Sequence, residues 1–276
     1  RRQLGAFLLL PSAETIGLCE DKYAAHTFFL EHGIDTPPTW LPGELPADLR
    51  FPALVKPRRG FGSRGIYRAA DRRELDFFLS YTTQDSMIQQ ACLGEEFSID
   101  VFCDPDGRCL NAIPRTMIES KGGESIKGMT TKDPQLIEHG RRVAEALRIV
   151  GPANIQCFRE PDGSLPVTDV NARFGGGFPL PTAAGSRYPQ LAMALAAGER
   201  PEPMLGEFEH GVTMTRYFWQ TILGDDGGLT EGLRDELRVA DGVFVPVAHT
   251  GSGVNPHDAV GADSDFAESL GDAARL

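Results

Sequence analysis

The stretch Thr168-Asp169-Val170-Asn171-Ala172-Arg173-Phe174 decides the fold, and it runs directly into Gly175-Gly176-Gly177. In a β-strand alternate side chains share one face, so Asp169, Asn171 and Arg173 would point the same way while the residues between them pack behind. Carboxylate and amide oxygens are ligands that Mg²⁺ prefers, and a neighbouring arginine can bind phosphate or carboxylate through two hydrogen bonds. The alternative interpretation is an edge strand with a polar face that ends in a glycine turn.

Composition limits the classes of protein that the chain could represent. Its 276 residues suffice for two modest domains, and 41% hydrophobic with 24% charged residues is typical of a soluble globular protein. A net charge of −12 without a long basic cluster argues against a nucleic-acid or membrane partner. Five cysteines without a CxxC motif predict reduced thiols, as in a cytoplasmic protein, rather than a disulfide scaffold.

The N-terminal region predicts two helices. We expect Phe7–Leu10 to form a buried strand and Ser12 to cap the helix that follows. A second helix is predicted over about 21–32, with Asp21 as its N-cap. Lys22 lies in the first turn, where the helix dipole disfavours a cation, so this lysine is either a solvated surface charge or is directed at an anion.

A short apolar strand ends at Lys56 and is followed by a glycine-rich segment, Arg58–Gly65, which we call the glycine loop. Glycine allows backbone N–H groups to approach phosphate oxygens, and Ser63 and the lysine add donors. The segment lacks the GxxxxGK[ST] pattern of a Walker loop. The alternative interpretation is an exposed hairpin turn.

The rest of the chain predicts a mixture of strands and helices. Gln156 and Asp169 are expected on neighbouring strands of a hairpin, close enough to share a cation. Asp71 caps a helix over 72–81, and a strand beginning at Ser86 breaks at 93–94 before it resumes. The remaining predictions are a turn at 104–107 with a strand over 108–115, a mobile loop over 117–132, helices over 134–149 and 188–197, strands over 153–159 and 212–222, an edge strand over 242–247 and loosely packed chain beyond 223.

The order and spacing of these motifs resemble the ATP-grasp superfamily, and most closely its branch related to the large chain of carbamoyl-phosphate synthase and to carboxylate–amine ligases. The resemblance covers roughly residues 12 to 222. It rests on five motifs taken in order: Asp21-Lys22, Gly33–Pro37, Val55-Lys56-Pro57 with the glycine loop, Gln89–Glu96, and Asn154–Gln156 with Asp169–Arg173.

The resemblance implies an α/β (α+β) fold in which two α+β subdomains grip ATP between antiparallel sheets. It implies the N-terminal subdomain at 21–90, the C-terminal subdomain with the metal site at 91–222, a remnant of a preceding domain or linker at 1–20, and a partly disordered tail at 223–276. A domain that usually precedes this fold is expected to lie outside the chain, and a homodimer or a separate N-terminal domain could supply its role.

The resemblance also implies the roles of individual residues. Catalytic roles fall to Arg173 and Lys56, and less closely to Arg115 as a further substrate or phosphate arginine. Mg²⁺ (or Mn²⁺) ligands are Gln156, Asp169 and Asn171. ATP contacts are Lys22, Lys56, Gly60, Gly62, Ser63, Gly65, Gln89, Gln90, Ala91, Cys92, Leu93 and Glu96.

The chemistry implied is that of a ligase. A carboxylate attacks the γ-phosphate of ATP, and an amine or similar nucleophile then displaces phosphate from the acyl phosphate. Two departures from the family pattern affect the metal site: Asp169 stands where glutamate is frequent, and Gln156 is neutral. The alternatives are an ATP-binding module or partner subunit without ligase activity, and a kinase-like enzyme that phosphorylates a hydroxyl.

Overall fold

The computed structural model describes residues 7–60, 62–121, 124–216, 237–240 and 243–246. The chain divides into two compact units, Arg1–Tyr217 and Phe218–Leu276. In the second unit, β12 (Leu237–Ala240) pairs antiparallel with β13 (Val243–Pro246), which agrees with the edge strand predicted there. The loose packing predicted for the rest of the C-terminal region lies outside the described residues.

The first sheet of the larger unit has four antiparallel strands in the order β1-β4-β2-β3. One helix, α3 (Arg72–Tyr81), packs its buried Leu75 against this sheet. Asp71 caps the helix by accepting from the N–H of Glu74, and the Glu74 carboxylate accepts from the N–H of Ala70, so two free donors are satisfied reciprocally. The strands are β1 (Thr39–Trp40), β2 (Ala53–Pro57), β3 (Tyr67–Ala69) and β4 (Ser86–Gln90).

The second sheet is also four-stranded and antiparallel, in the order β10-β9-β5-β6. Its strands are β5 (Glu95–Cys103), β6 (Cys109–Thr116), β9 (Gly151–Arg159) and β10 (Val167–Asn171). The odd-numbered residues of β5 and β9, from Phe97 to Cys103 and from Ala153 to Cys157, face the main hydrophobic core together with α4 (Pro134–Ala146). Because side chains alternate along a strand, the even-numbered residues face the opposite side.

Two helices near the N-terminus belong to the core of this second sheet. Ser12 caps α1 (Ala13–Glu20) and Asp21 caps α2 (Lys22–Glu31), as predicted. Cys19, Ala25 and Phe29 from these helices lie in the same buried cluster as the strands of the second sheet.

A third sheet corrects the prediction that 117–132 is a mobile loop. The segment forms β7 (Glu119–Lys121) and β8 (Glu124–Met129), and β8 pairs with the distant β11 (Thr213–Thr215). Local periodicity could not reveal these strands because β11 lies more than 80 residues along the chain. An isolated bridge between Arg115 and Thr130 joins this sheet to β6.

Several element boundaries differ from the predictions. Phe7–Leu10 is not a buried strand, since it has no regular structure and Leu8 and Leu10 are 47% and 59% exposed. The helix predicted to reach Ile149 ends at Ala146, because Arg148 adopts a positive φ of 51°. Two short helices follow the glycine turn, α5 (Pro179–Ala183) and α6 (Tyr188–Ala196). No helix in the described part of the chain is long and apolar enough to cross a membrane.

Substitution by alanine is expected to change the stability of the protein in opposite directions at two glycines inside helices. A Cβ on Gly140 in α4 would lie 2.6 Å from Cγ2 of buried Ile99, whereas nothing lies within 4 Å of a Cβ on exposed Gly17 in α1. We expect Gly140→Ala to destabilise the protein by roughly 1–3 kcal/mol through overpacking. We expect Gly17→Ala to stabilise it by about 0.5–1 kcal/mol through helix propensity. Urea unfolding of both variants measures the difference, and equal effects would contradict the packing of α4 on β5.

Candidate active site

A cavity of about 340 Å³ is lined by residues of both the first and the second sheet. Lys56 and Gln89 reach it from the first sheet, and Glu96, Gln156 and Asp169 reach it from the second. Its full lining is Lys22, Leu54, Lys56, Pro57, Gly60, Gly62, Ser63, Arg64, Ile66, Arg68, Gln89, Gln90, Ala91, Cys92, Glu96, Gln156, Phe158, Thr168, Asp169, Asn171 and Arg173.

The register of the second sheet brings the predicted metal ligands together. Asp169 lies directly opposite Gln156 on the neighbouring strand, and Asn171 lies opposite Asn154. A register shift between Val167 and Asp169 marks a bulge at the start of β10. The bulge allows Val167 to remain in the hydrophobic core while Asp169, two residues later, faces the cavity.

The polar side chains of β10 are joined by hydrogen bonds along one face. Asn171 donates its Nδ2 to Oδ2 of Asp169 at 3.3 Å, and Arg173 donates to Oδ1 of Asn171 at 3.2 Å. Val170 is buried and Ala172 packs against the core behind them, as the alternation predicted. β10 is an edge strand of the second sheet, as the alternative interpretation supposed, but its polar face lines the cavity.

Lys22 points into the cavity, so the solvated alternative for this lysine is wrong. Its Nζ lies 3.2 Å from Oδ1 of Asp169 and donates to the carbonyl oxygen of Gly60 at 3.1 Å. The ammonium group thus connects the first turn of α2, the glycine loop and β10.

Lys56 is 5% exposed and lies at the end of β2. Burial lowers the pKa of its ammonium group to about 8, with the charge of Asp169 acting in the opposite direction. Its Nζ has one long contact, 3.4 Å to the carbonyl oxygen of Thr168. A buried cation with so little hydrogen bonding is suited to binding an anion in the cavity.

Asp21 is a site residue whose larger role the sequence did not reveal. Besides capping α2, its carboxylate accepts from Nε and an NH₂ group of Arg58, at 3.2 and 2.6 Å, and from Arg59 at 3.3 Å. Burial favours the neutral acid, but the hydrogen bonds from Arg58 and from the helix backbone outweigh burial, so the pKa of Asp21 is lowered. This carboxylate fixes the start of the glycine loop beside Lys22.

The structure brings most of the predicted nucleotide contacts to the cavity wall. Gly60, Gly62 and Ser63 of the glycine loop line it, but Gly65 does not. Gly65 has a φ of +72°, and a Cβ there would lie 3.2 Å from the ring of Pro57, so its role is conformational.

The segment 91–94 crosses from the first sheet to the second, and we call it the crossing segment. Gln89, Gln90, Ala91 and Cys92 line the cavity, whereas the Leu93 side chain is 70% exposed and does not. The side-chain amides of Gln89 and Gln90 are already donating, to Thr39 and to the carbonyl oxygen of Pro52. Because these amides are engaged, the backbone of the crossing segment supplies polar groups to this part of the cavity wall.

Glu96, two residues after the crossing segment, lines the cavity. Burial raises the pKa of its carboxyl group, and the charge of Arg115 opposes that effect. A carboxylate at this position can accept hydrogen bonds from hydroxyl groups of a ligand.

Arg115 does not line the cavity, in contrast to its predicted catalytic role. It is 2% exposed and donates from Nε to Asp100 at 2.8 Å. Asp100 also accepts from Asn154 at 2.9 Å, and a Cβ on Gly177 would collide with the Arg115 guanidinium. The Arg115 guanidinium therefore packs directly against the Gly175–Gly177 turn and supports it.

The donor set on β9 and β10 fits a divalent cation. Asp169, Asn171 and Gln156 together present one carboxylate and two amide groups, oxygen ligands that suit Mg²⁺ better than Zn²⁺. The Lys22 ammonium at 3.2 Å from Asp169 shows that the carboxylate already attracts a cation. A single carboxylate leaves most of the cation's charge to be balanced by anionic groups of a ligand, as expected where Mg²⁺ binds with phosphates.

A second cavity, of about 440 Å³, meets the first along β10. It shares Lys22, Gly60, Asp169, Asn171 and Arg173 with the first cavity, and the remainder is lined by α1, Arg59, Val170 and Ala172. The polar face of β10 is thus accessible from two sides.

Comparisons with known proteins find similarity to ATP-grasp proteins. A family model described as "ATP-grasp in the biosynthetic pathway with Ter operon" matches residues 82–217. The carbamoyl phosphate synthase large chain of Agathobacter rectalis is 28% identical over 166 residues, which are 55% of this chain and 15% of that protein.

Solved structures share the fold at low identity. The biotin carboxylase of Campylobacter jejuni, in a complex with a β,γ-ATP ligand, superposes with a TM-score of 0.62 at 15% identity, covering 73% of this chain and 51% of that one. An L-amino acid ligase from Bacillus licheniformis gives a TM-score of 0.55 at 23% identity, covering 71% and 52%. The chain thus spans about half or less of each of these three proteins.

The fold is the ATP-grasp fold, an α+β arrangement with antiparallel sheets on both sides of the cavity. The chain is thus similar to ATP-grasp proteins both in fold and in the sequence of residues 82–217, as its motifs predicted.

Two ion pairs of the same type in different environments allow the buried network to be tested. The Asp100–Arg115 pair is 2% exposed on both sides, whereas the Asp76–Arg72 pair of α3 is more than half exposed. We expect Asp100→Ala to destabilise the fold by about 3–5 kcal/mol, since it leaves a buried guanidinium unpaired. Asp76→Ala should cost at most about 1 kcal/mol. Denaturant unfolding compares the two, and a small effect at Asp100 would mean that the network does not support the glycine turn.

Proposed function

We propose that this chain is the catalytic portion of an Mg²⁺-dependent ligase that uses ATP to activate a carboxylate as an acyl phosphate. An amine or a similar nucleophile then attacks the acyl carbon and displaces phosphate. The observation that carries the proposal is the cavity between the two sheets, where two lysines face a strand bearing a carboxylate, an amide and a guanidinium. Similarity to ATP-grasp proteins supports the same reaction class.

Each charged side chain has a distinct role in this proposal. Lys22 and Lys56 bind the phosphates, and the glycine loop covers them from the first sheet. Glu96 accepts hydrogen bonds from the ribose hydroxyls, and the crossing segment contacts the base. Arg173 neutralises charge on the phosphoryl group as it is transferred, which lowers the barrier because the donor is already in position.

Gln156, Asp169 and Asn171 would hold Mg²⁺ beside the phosphates. The ion would supply charge neutralisation on the transferred phosphoryl group. Lys22, whose Nζ lies 3.2 Å from Oδ1 of Asp169, would then be available to phosphate oxygens, because the ion would balance the charge of Asp169.

The second cavity offers the carboxylate substrate an approach to the transferred phosphoryl group. It reaches Arg173 and Asn171 from the side of α1, opposite the nucleotide. Arg59, 71% exposed at its edge, adds a cation that can attract an acid. Because the chain spans about half or less of the relatives described, we propose that a preceding or separate domain, or a second copy of the chain, completes the acceptor site.

Two other functions lead to different products. An ATP-binding module or partner subunit would bind Mg-ATP without releasing ADP, and a kinase-like enzyme would release ADP without activating a carboxylate. A panel of amino acids and small acids, assayed for ADP release in the presence of hydroxylamine, separates the three. A ligase forms a hydroxamate because hydroxylamine traps the acyl phosphate. ADP release without a hydroxamate would favour the kinase, and no ADP release with any acid would favour the module.

The metal assignment predicts a large effect at Asp169. Asp169→Ala removes the carboxylate of the metal site, so ADP release should fall by about 10²-fold or more while the fold stays intact, as expected when a transition-state charge loses its partner. Asp48→Ala, which removes an exposed carboxylate outside the cavity, is the matched control. Activity of Asp169→Ala close to that of the control would remove Asp169 from the site.

The lowered pKa of Lys56 predicts that nucleotide binding depends on pH. With its pKa lowered to about 8 by burial, Lys56 is mostly protonated at pH 7 and mostly neutral above about pH 9. A bound triphosphate favours the ammonium form and raises the pKa, so ATP binding at pH 8.5 should take up a proton and ATP affinity should fall as the pH increases. Calorimetry in buffers of different ionisation enthalpy measures this uptake.

Two variants control the Lys56 experiment. Lys56→Arg keeps the charge at every accessible pH and should abolish the proton uptake. Lys56→Ala should raise the dissociation constant for ATP at pH 7. Unchanged proton uptake in Lys56→Arg would assign the titration to another group.

A further inference from the structure

The crossing segment is fixed to the second sheet by one acidic side chain outside the cavity. Oε1 of Glu160 accepts from the backbone N–H of Leu93 at 3.0 Å and from that of Gly94 at 3.2 Å. Glu160 lies in the turn between β9 and β10, 66 residues or more away along the chain. It does not line the cavity, and none of the sequence motifs pointed to it.

The turn that carries Glu160 is itself held in place. The N–H of Glu160 donates to the carbonyl oxygen of Ser164 at 3.1 Å, and its carbonyl accepts from Gly163 at 2.9 Å. The preceding residue, Arg159, donates to Asp133 at the N-terminus of α4 at 2.6 Å and lies over the ring of Phe97. The carboxylate therefore projects from a backbone that is anchored to the second sheet and its helix.

The crossing segment fits closely against this turn. A Cβ on Gly94 would collide with the carbonyl oxygen of Arg159, so only glycine allows the two backbones to approach this far. At its other end the segment is fixed to the first sheet, since Ala91 donates its N–H to the carbonyl oxygen of Pro52 at 3.1 Å. Between these two attachments lie the Ala91 and Cys92 positions that line the cavity.

Cys92 lies between the backbone held by Glu160 and the cavity, and it interacts with both. Burial raises the pKa of its thiol to about 12, and the charge of Glu160 together with a hydrogen bond to it adds to this effect. The Glu160 carboxylate thus interacts with three consecutive residues of the crossing segment.

We propose that Glu160 is a positioning residue that sets the base-binding wall of the nucleotide site by clamping the backbone of the crossing segment. The proposal rests on the proposed function, since the wall contacts a base only if the cavity binds a nucleotide. By holding Leu93 and Gly94, the clamp keeps the preceding Ala91 and Cys92, which line the cavity, at a fixed distance from the strands that bind the phosphates.

This role separates base binding from phosphate binding, and the separation is measurable. Without the clamp, the crossing segment loses two charge-assisted hydrogen bonds, while Lys22, Lys56 and β10 are untouched. Glu160→Ala in the full chain should therefore weaken ATP binding by about tenfold but leave the affinity for inorganic tripolyphosphate unchanged. The preference for ATP over GTP should fall in the same variant.

Two further variants distinguish positioning from a general structural effect. Glu160→Gln keeps an acceptor oxygen in place and should retain most of the ATP affinity, whereas Glu160→Asp keeps the charge but shortens the arm and should lose affinity as Glu160→Ala does. Glu95→Ala removes an exposed carboxylate just beyond the crossing segment and should change neither affinity.

Hydrogen exchange tests the clamp without any nucleotide. The amides of Leu93 and Gly94 should exchange at least about tenfold faster in Glu160→Ala and Glu160→Asp than in wild type, because both lose the same acceptor. Unchanged exchange in the folded variants, or equal losses of ATP and tripolyphosphate affinity, would overturn the proposal. Failure of the wild type to bind ATP would overturn the proposed function, and exchange would then decide the clamp alone.

Discussion

The alternation of side chains along β5 and β9 of the second sheet is the constraint on which the site depends. Odd-numbered residues of β5 and β9 form the main core with α1, α2 and α4, so the even-numbered residues must face the other way. Near the cavity these are Glu96 and Gln156, and on β10, where the bulge shifts the alternation, Asp169 faces the same way. A shift of one residue in any strand would bury the acids and expose the core, so the hydrophobic core fixes the register of the polar site.

The site holds charged groups at low exposure, and each is stabilised in a specific way. Asp21 is 4% exposed and ionised because it receives hydrogen bonds from a helix N-terminus and from Arg58. Asp169 is neutralised by Lys22, and Asp100 by Arg115. Lys56 is the exception among these groups, because it is 5% exposed and, among the described residues, its Nζ makes one long hydrogen bond, to a carbonyl oxygen. Imperfect neutralisation of this kind is expected where a ligand supplies the missing charge.

The sequence predicted the parts of this molecule that depend on local chemistry. The caps at Ser12, Asp21 and Asp71 and the pairing of the Asp169 and Gln156 strands follow from neighbouring residues, and the structure contains all of them. The third sheet was missed because β8 pairs with a strand far along the chain.

Burial and tertiary contacts decide the remaining features. Arg115 has a sequence position typical of a ligand-binding arginine, but a buried partner on the adjacent strand, Asp100, holds it beneath Gly177. Glu160 has no motif around it, and only the folded chain brings it to Leu93 and Gly94. Residues that support the site without lining the cavity, such as Arg115 and Glu160, are therefore located by ion pairs and hydrogen bonds between distant segments. Residues that line the cavity follow more directly from periodicity and capping. The bulge at the start of β10 links the core to the site, because it allows Val167 to be buried while Asp169, two residues later, faces the cavity.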